Sequence, residues 1–160
     1  MEPTDDHALV SVVFVAGAHS SASLFELVPN AGLGAHRSAS NTARCSAIAW
    51  SDVRVGIDLE VVRSRVHLSR LALRTMTDDE HGRWSVCQDR DRAFAQHWTR
   101  VEAYLKAIGV GVAGGYRTRP DAEWSVVDLD LEVPLVGALA LEAREPVVSV
   151  RWLKAPGTSH

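Results

Sequence analysis

Hydrophobic periodicity changes twice along the chain, and the order of those changes limits the possible folds. Ala8 to Ala16 (ALVSVVFVA) is rich in β-branched residues and reads as a strand. Cys45 to Trp50 and Val53 to Val62 are apolar runs separated by the polar pair Ser51-Asp52, which predicts two antiparallel strands joined by a tight turn. From Leu68 the period becomes helical, and it stays so to Ile108. Three strand-like segments follow, Glu123 to Leu131, Leu135 to Glu142 and Val147 to Leu153. Strands, a helical block, then strands again predict an α+β domain with helices packed on one face of an antiparallel sheet. Residues 1–160 read as one domain, with a shortened, weakly patterned part over 1–40 and a flexible tail over 154–160.

Within the helical block, Leu68, Leu71, Ala72, Thr75 and Met76 share one face and leave Arg70 and Arg74 on another. Thr77-Asp78-Asp79-Glu80 has the form of a capping box, Thr at the N-cap with Glu three residues on, and starts a second helix. A third helix spans about Asp91 to Ile108, with Phe94, Trp98, Val101 and Leu105 as its apolar stripe and Gly109 as its stop. The segment Gly17 to Ser40 has no dominant period and is left without an assignment.

Composition narrows the function classes. Among 160 residues, 46% are hydrophobic and 23% charged, the balance of a globular domain with its own core. The net charge of -3 argues against a general nucleic-acid binder. Runs such as Val12 to Ala18 and Val133 to Leu141 fall short of the roughly 20 residues a membrane span needs, so no membrane segment is expected. The acidic stretch Met1 to Asp6 lacks the basic-then-apolar layout of a secretory signal, which points to the cytoplasm. Cys45 and Cys87 have no CxxC spacing and are read as buried small apolar residues. Arg63, Arg65, Arg70 and Arg74, with His67, form an uninterrupted basic run that is either a solvated helix face or a contact for an acidic partner.

The chemistry-bearing residues begin with Gly56-Ile57-Asp58-Leu59-Glu60, where two carboxylates one residue apart on a strand share a face. Such a pair is either solvated surface or a set of hard oxygen ligands suited to Mg²⁺. Glu102 and Lys106, four apart on the long helix, also share a face, as an ordinary surface ion pair or as part of a site.

Taken together, GIDLE and, about 40 residues later, WTRVEAYLKAIGVG resemble the paired signatures of the Sfp-type 4'-phosphopantetheinyl transferases, (I/V)G(I/V)D(I/V)E and W(T/S)xKEAxxKxxGxG. Met76-Thr77-Asp78-Asp79-Glu80 is similar to that family's LTxxE step, and the resemblance extends over about Ser40 to Leu153. It implies a 4'-phosphopantetheinyl transferase-like fold in which Asp58, Glu60 and Glu102 hold Mg²⁺ against the pyrophosphate of coenzyme A. It also implies that a serine of an acyl or peptidyl carrier protein attacks the β-phosphate and that 3',5'-ADP leaves. Glu102 then helps deprotonate the serine, Lys106 neutralises the departing phosphate, and Asn41 and Arg44 lie on the coenzyme A side. Trp98 and Tyr104 are read as packing residues.

Three departures qualify the resemblance. Val101 stands where the family has the lysine before its metal-binding glutamate, and Asn41 replaces the histidine of S-x-S-H, here Ser38-Ala39-Ser40-Asn41. Nearby His36 and Arg37 are either substitutes for that histidine or ordinary loop residues. The first half also lacks the helices that Sfp-type members carry there. Its exposed face is covered either by 20–28 or by a second subunit, so a homo-oligomer is expected to be possible. Three readings follow: a compact transferase for polyketide or nonribosomal peptide carriers, a repurposed member acting on another carrier-bound or small substrate, and a non-catalytic carrier-binding module.

Overall fold

The strand β1 (Leu9–Ala16) is apolar on both faces, so both must be covered. In the computed structural model, which describes residues 8–17, 20–27, 34–111 and 115–153, that demand is met by two sheets and a helix. One sheet has the order β2 (His36–Asn41), β3 (Cys45–Ser51), β1, β7 (Val147–Leu153). The other has the order β4 (Val55–Val61), β6 (Leu135–Leu141), β5 (Ser125–Asp128). Val10, Val12 and Phe14 of β1, with Cys45, Ala47 and Ala49 of β3, pack against Val55, Ile57 and Leu59 of β4 and Leu139 and Leu141 of β6. On the opposite face of β1, Val13 and Val15 join Ile48 and Leu24, the last from the short helix α1 (Ser21–Leu27).

The second sheet is covered on its outer face by α4 (Arg90–Ala107). Alternation along β4 explains how. Val55, Ile57 and Leu59 enter the core between the sheets, which leaves Gly56, Asp58 and Glu60 on the face toward α4. A Cβ at Gly56 would lie 1.9 Å from the Ala103 carbonyl oxygen and 2.7 Å from the Ala107 nitrogen. Only hydrogen fits there, and Ala103, Ala107, Ala138 and Ala140 keep the rest of the seam equally thin. Beside it, α2 (Leu68–Thr75) and α3 (Asp78–Ser85) pack Ala72, Met76 and Trp84 onto Phe94 of α4.

The α+β class and the three helices of the central block agree with the sequence reading. Thr77 caps α3 with a complete capping box, and Gly109 follows α4 with φ 74°. The Ser51-Asp52 hairpin is a correction. β3 pairs with β1 and β2, whereas β4 pairs with β6 in the other sheet. The chain therefore crosses between sheets there, because β3 and β4 are both buried on both faces and each needs its own layer of neighbours. β7 runs parallel to β1, so that pairing departs from the purely antiparallel expectation. β5 covers only Ser125–Asp128 of the segment expected over 123–131. The unassigned stretch holds α1 and β2, and Leu24 of α1 packs on Val13, Val15 and Ile48. The expected tail over 154–160 and the acidic N-terminal residues lie outside the described residues. Among the described residues, no helix is long and apolar enough to cross a membrane.

Two glycine substitutions should move stability in opposite directions. Gly56→Ala forces backbone apart at the β4–α4 seam and is expected to cost about 3 kcal/mol. Gly82→Ala, within α3 and with nothing within 4 Å of the new Cβ, should gain roughly 0.5–1 kcal/mol from helix propensity. Thermal denaturation of both variants checks the pair, and equal melting temperatures would contradict the close-approach argument.

Candidate functional site

The seam that Gly56 keeps thin brings the acids of β4 and α4 together. Asp58 is 7% exposed, and the Lys106 ammonium donates to its Oδ1 at 2.8 Å, to the Ile57 carbonyl at 3.1 Å and to the Ala39 carbonyl at 3.5 Å. The Ser40 hydroxyl donates to the same Asp58 oxygen at 3.1 Å. Glu60 accepts from the Arg65 guanidinium at 3.2 Å. Glu102 is half-buried on α4, one turn before Lys106.

Electrostatics ties the three acids into one group. Burial pushes the Asp58 carboxyl above its ordinary value even with Lys106 and Ser40 pulling it down. Glu60 is pushed up by burial, with Asp58 adding to the rise and Arg65 opposing it. Glu102 is pushed up first by burial, then by the charges of Asp58 and Glu60, with Lys106 opposing. Each acid therefore sits in a place that disfavours its own charge, and a cation would relieve all three. Among the described residues, no three His, Cys, Asp or Glu side chains converge closely enough to hold a metal as they stand. The donor chemistry nonetheless fits a hard divalent ion: three carboxylates, mutually repelled, with one already neutralised by an ammonium.

Two serines that the sequence reading quoted beside Asn41 without a role complete the site. Ser38 Oγ accepts from the Ile57 amide at 3.1 Å, and Ser40 Oγ accepts from the Leu59 amide at 3.1 Å. These amides lie on the edge of β4 that does not face β6, so serine side chains of β2 stand in for a ladder and stitch one sheet to the other. Their i, i+2 spacing was the available signal, since it places both hydroxyls on one face of a strand.

The remaining predicted residues are more dispersed. Asn41 ends β2 and is exposed. Arg44 is exposed and lines a cleft of about 600 Å³ with Ala16, Pro134, Leu135 and Trp152, at the mouth between the two sheets. Val101 is 5% exposed and lines a second cavity with Trp84 and Tyr104. Trp98 stacks on Phe94, and Tyr104 meets Trp124 edge-on, both as packing residues. Arg63, His67, Arg70 and Arg74 are exposed, whereas Arg65 turns inward to Glu60.

Comparison with known proteins now bears on this geometry. A family model for the 4'-phosphopantetheinyl transferase superfamily matches residues 54–152. The chain belongs to that superfamily. The match takes in β4 with Asp58 and Glu60 as well as α4 with Glu102 and Lys106. A Synechocystis sp. protein provisionally named a 4'-phosphopantetheinyl transferase is 35% identical over 63 residues, which make up 38% of this chain and 26% of the relative. The matched stretch thus spans about a quarter of that relative's length.

Lys106→Met should leave Asp58 buried beside no cation and lower stability by about 3 kcal/mol. Combined with Asp58→Asn it should cost less than the sum of the single changes, a coupling that urea denaturation at neutral pH measures. Glu102→Gln should act in the opposite sense in chelated buffer. The raised carboxyl values mean that the folded chain binds protons more tightly than the unfolded one. Their penalty therefore begins as pH climbs past 4.5 and is complete above the folded values. Removing Glu102 should flatten that decline and raise the melting temperature at pH 7, and an unchanged pH profile would count against the coupling of the acids.

Proposed function

We propose that the protein transfers 4'-phosphopantetheine from coenzyme A to a serine of an acyl or peptidyl carrier protein, as a single cytoplasmic domain serving polyketide or nonribosomal peptide biosynthesis. The observation that carries this reading is the seam itself, where half-buried Lys106 bonds Asp58 at 2.8 Å and burial raises the carboxyls of Asp58, Glu60 and Glu102, with Asp58 adding to the rise of the other two. Under this reading Asp58, Glu60 and Glu102 hold Mg²⁺. The ion supplies neutralisation of the pyrophosphate charge.

The carrier serine oxygen bonds to the β-phosphorus, the bond from that phosphorus to the bridging oxygen breaks, and 3',5'-ADP leaves with the electron pair. Such a transfer depends mainly on alignment and charge neutralisation. Glu102, half-buried at the mouth of the seam, takes the serine proton. Lys106 holds Asp58 in place through its 2.8 Å contact and neutralises the departing phosphate. Asn41 and Arg44, at the end of β2 and the turn after it, lie toward the coenzyme. The exposed Arg70 and Arg74 on α2, with Leu73 57% exposed between them, offer the mixed basic and apolar face that an acidic helical carrier would meet.

A second reading, a repurposed member that acts on another carrier-bound or small substrate, draws on Val101. It brings no cation to the seam, and its side chain is 5% exposed in a cavity wall. The reading as a carrier-binding module leaves the half-buried Lys106 and the three acids without a task. A homo-oligomer belongs to the proposal too, and gel filtration giving only monomer would remove it.

The deciding experiment is the intact mass of an apo carrier protein after incubation with this protein, coenzyme A and Mg²⁺, with a chelated control. A metal-dependent gain of one phosphopantetheine is expected. Glu102→Ala should reduce the rate by about 10² or more while the protein stays folded. Mg²⁺ alone should raise the melting temperature of the wild type but not of Glu102→Ala. No mass gain on any carrier would favour the repurposed reading.

A further inference from the structure

On the side of α4 away from the acids lies a cavity of about 350 Å³ that the proposed transfer does not use. Its walls are Met76 of the α2–α3 junction, Trp84 of α3, Val101 and Tyr104 of α4, and Pro120 and Val126 beyond it. Three guanidinium groups, those of Arg83, Arg100 and Arg119, line it against one carboxylate, Glu80. Two of the three are already answered. Arg119 donates to Glu80 Oε1 at 2.8 Å and also to the Thr75 carbonyl at 2.9 Å, and Arg100 grips Asp128. Arg83 makes no ion pair among the described residues. One wall residue, His97, keeps its Nε2 buried without a hydrogen-bond partner.

We infer that this cavity binds a small amphipathic monocarboxylate, its apolar body against Trp84 and Val101 and its head on Arg83. A volume near the lower end for ligand pockets suits a molecule of about ten to fifteen non-hydrogen atoms. A single unanswered guanidinium matches one carboxylate in charge and in bidentate geometry. The apolar wall also accounts for Val101. A lysine at that position, as in the signature the sequence resembles, would put a four-carbon chain and a charge into the same space.

Cys45 is buried as the sequence suggests, but Cys87 is exposed, contrary to that reading, because it lies just past the end of α3 on the cavity lining, and there it reports occupancy. The test measures the rate of Cys87 alkylation by N-ethylmaleimide, read by intact mass, with octanoate and octan-1-ol as probes and each variant normalised to its own ligand-free rate. Octanoate at about four times its Kd should slow the reaction about fivefold, because only the free fraction reacts, and octan-1-ol at the same concentration should protect less. Val101→Lys and Arg83→Glu, each shown folded by its melting curve, should abolish or weaken the protection by octanoate. Absence of protection at millimolar octanoate, or equal protection by the alcohol, or full protection of Arg83→Glu, overturns the assignment. The readout involves neither coenzyme A nor a carrier, so its failure leaves the transferase reading untouched and the reverse also holds.

Discussion

The approach of α4 to β4 within the space of a hydrogen atom governs this molecule. At Gly56 the helix backbone lies where any side chain would stand, with a Cβ position 1.9 Å from the Ala103 carbonyl. Helices usually ride on sheets at a distance set by interleaved side chains, and here alanines on both surfaces remove most of that layer. The consequence is geometric. Asp58, two residues along from Gly56, can be reached by Lys106, one turn along from Ala103, and the result is a 2.8 Å ion pair that is largely withdrawn from water.

That pair is costly to form and costly to break, which gives it a bearing on specificity as well as stability. The ammonium has three acceptors from two strands, Asp58 and Ile57 on β4 and Ala39 on β2, so it joins both sheets and the helix at one point. Ser38 and Ser40 reinforce the junction by meeting β4 amides that no strand pairs with. The carboxylates remain under strain of a different kind. Burial raises Asp58, Glu60 and Glu102, and repulsion from Asp58 adds to the rise of the other two, whereas Glu80, with burial pushing upward but Arg119 and the Thr77 amide outweighing it, is held down at about 2. The contrast separates a settled structural acid from a group of acids short of positive charge, and perturbed groups of the second kind concentrate at functional sites.

Helix α4 has two working faces. One carries Glu102 and Lys106 toward β4, and the other carries Val101 and Tyr104 into the cavity beside Trp84. Adjacent residues on a helix diverge by about 100°, so the departure at Val101 alters the cavity without disturbing the acids. The arginine face on α2 lies beyond both, and just before that helix the Arg65 guanidinium turns back to Glu60.

Much of this was legible before any coordinates. Period and capping signals mark α2, α3 and α4 because those are local properties of backbone and side-chain spacing, as the complete capping box at Thr77 and Glu80 illustrates. The alternation of Asp58 and Glu60, and the four-residue step from Glu102 to Lys106, likewise follow from strand and helix geometry. The partner of each strand was not legible. Cys45–Ser51 and Val55–Val61 look like the arms of a hairpin in sequence, yet each has the apolar pattern of a strand covered on both faces, and only the packing of distant segments decides which sheet each one joins. α1 and β2 were hidden for a similar reason, being short and weakly periodic, with stability that comes from the sheet faces and edges they cover. The residue types of the seam were thus determined locally, while their convergence, the serine stitches and the cavity behind Val101 came from tertiary packing, because those distances depend on contacts between segments far apart in the chain.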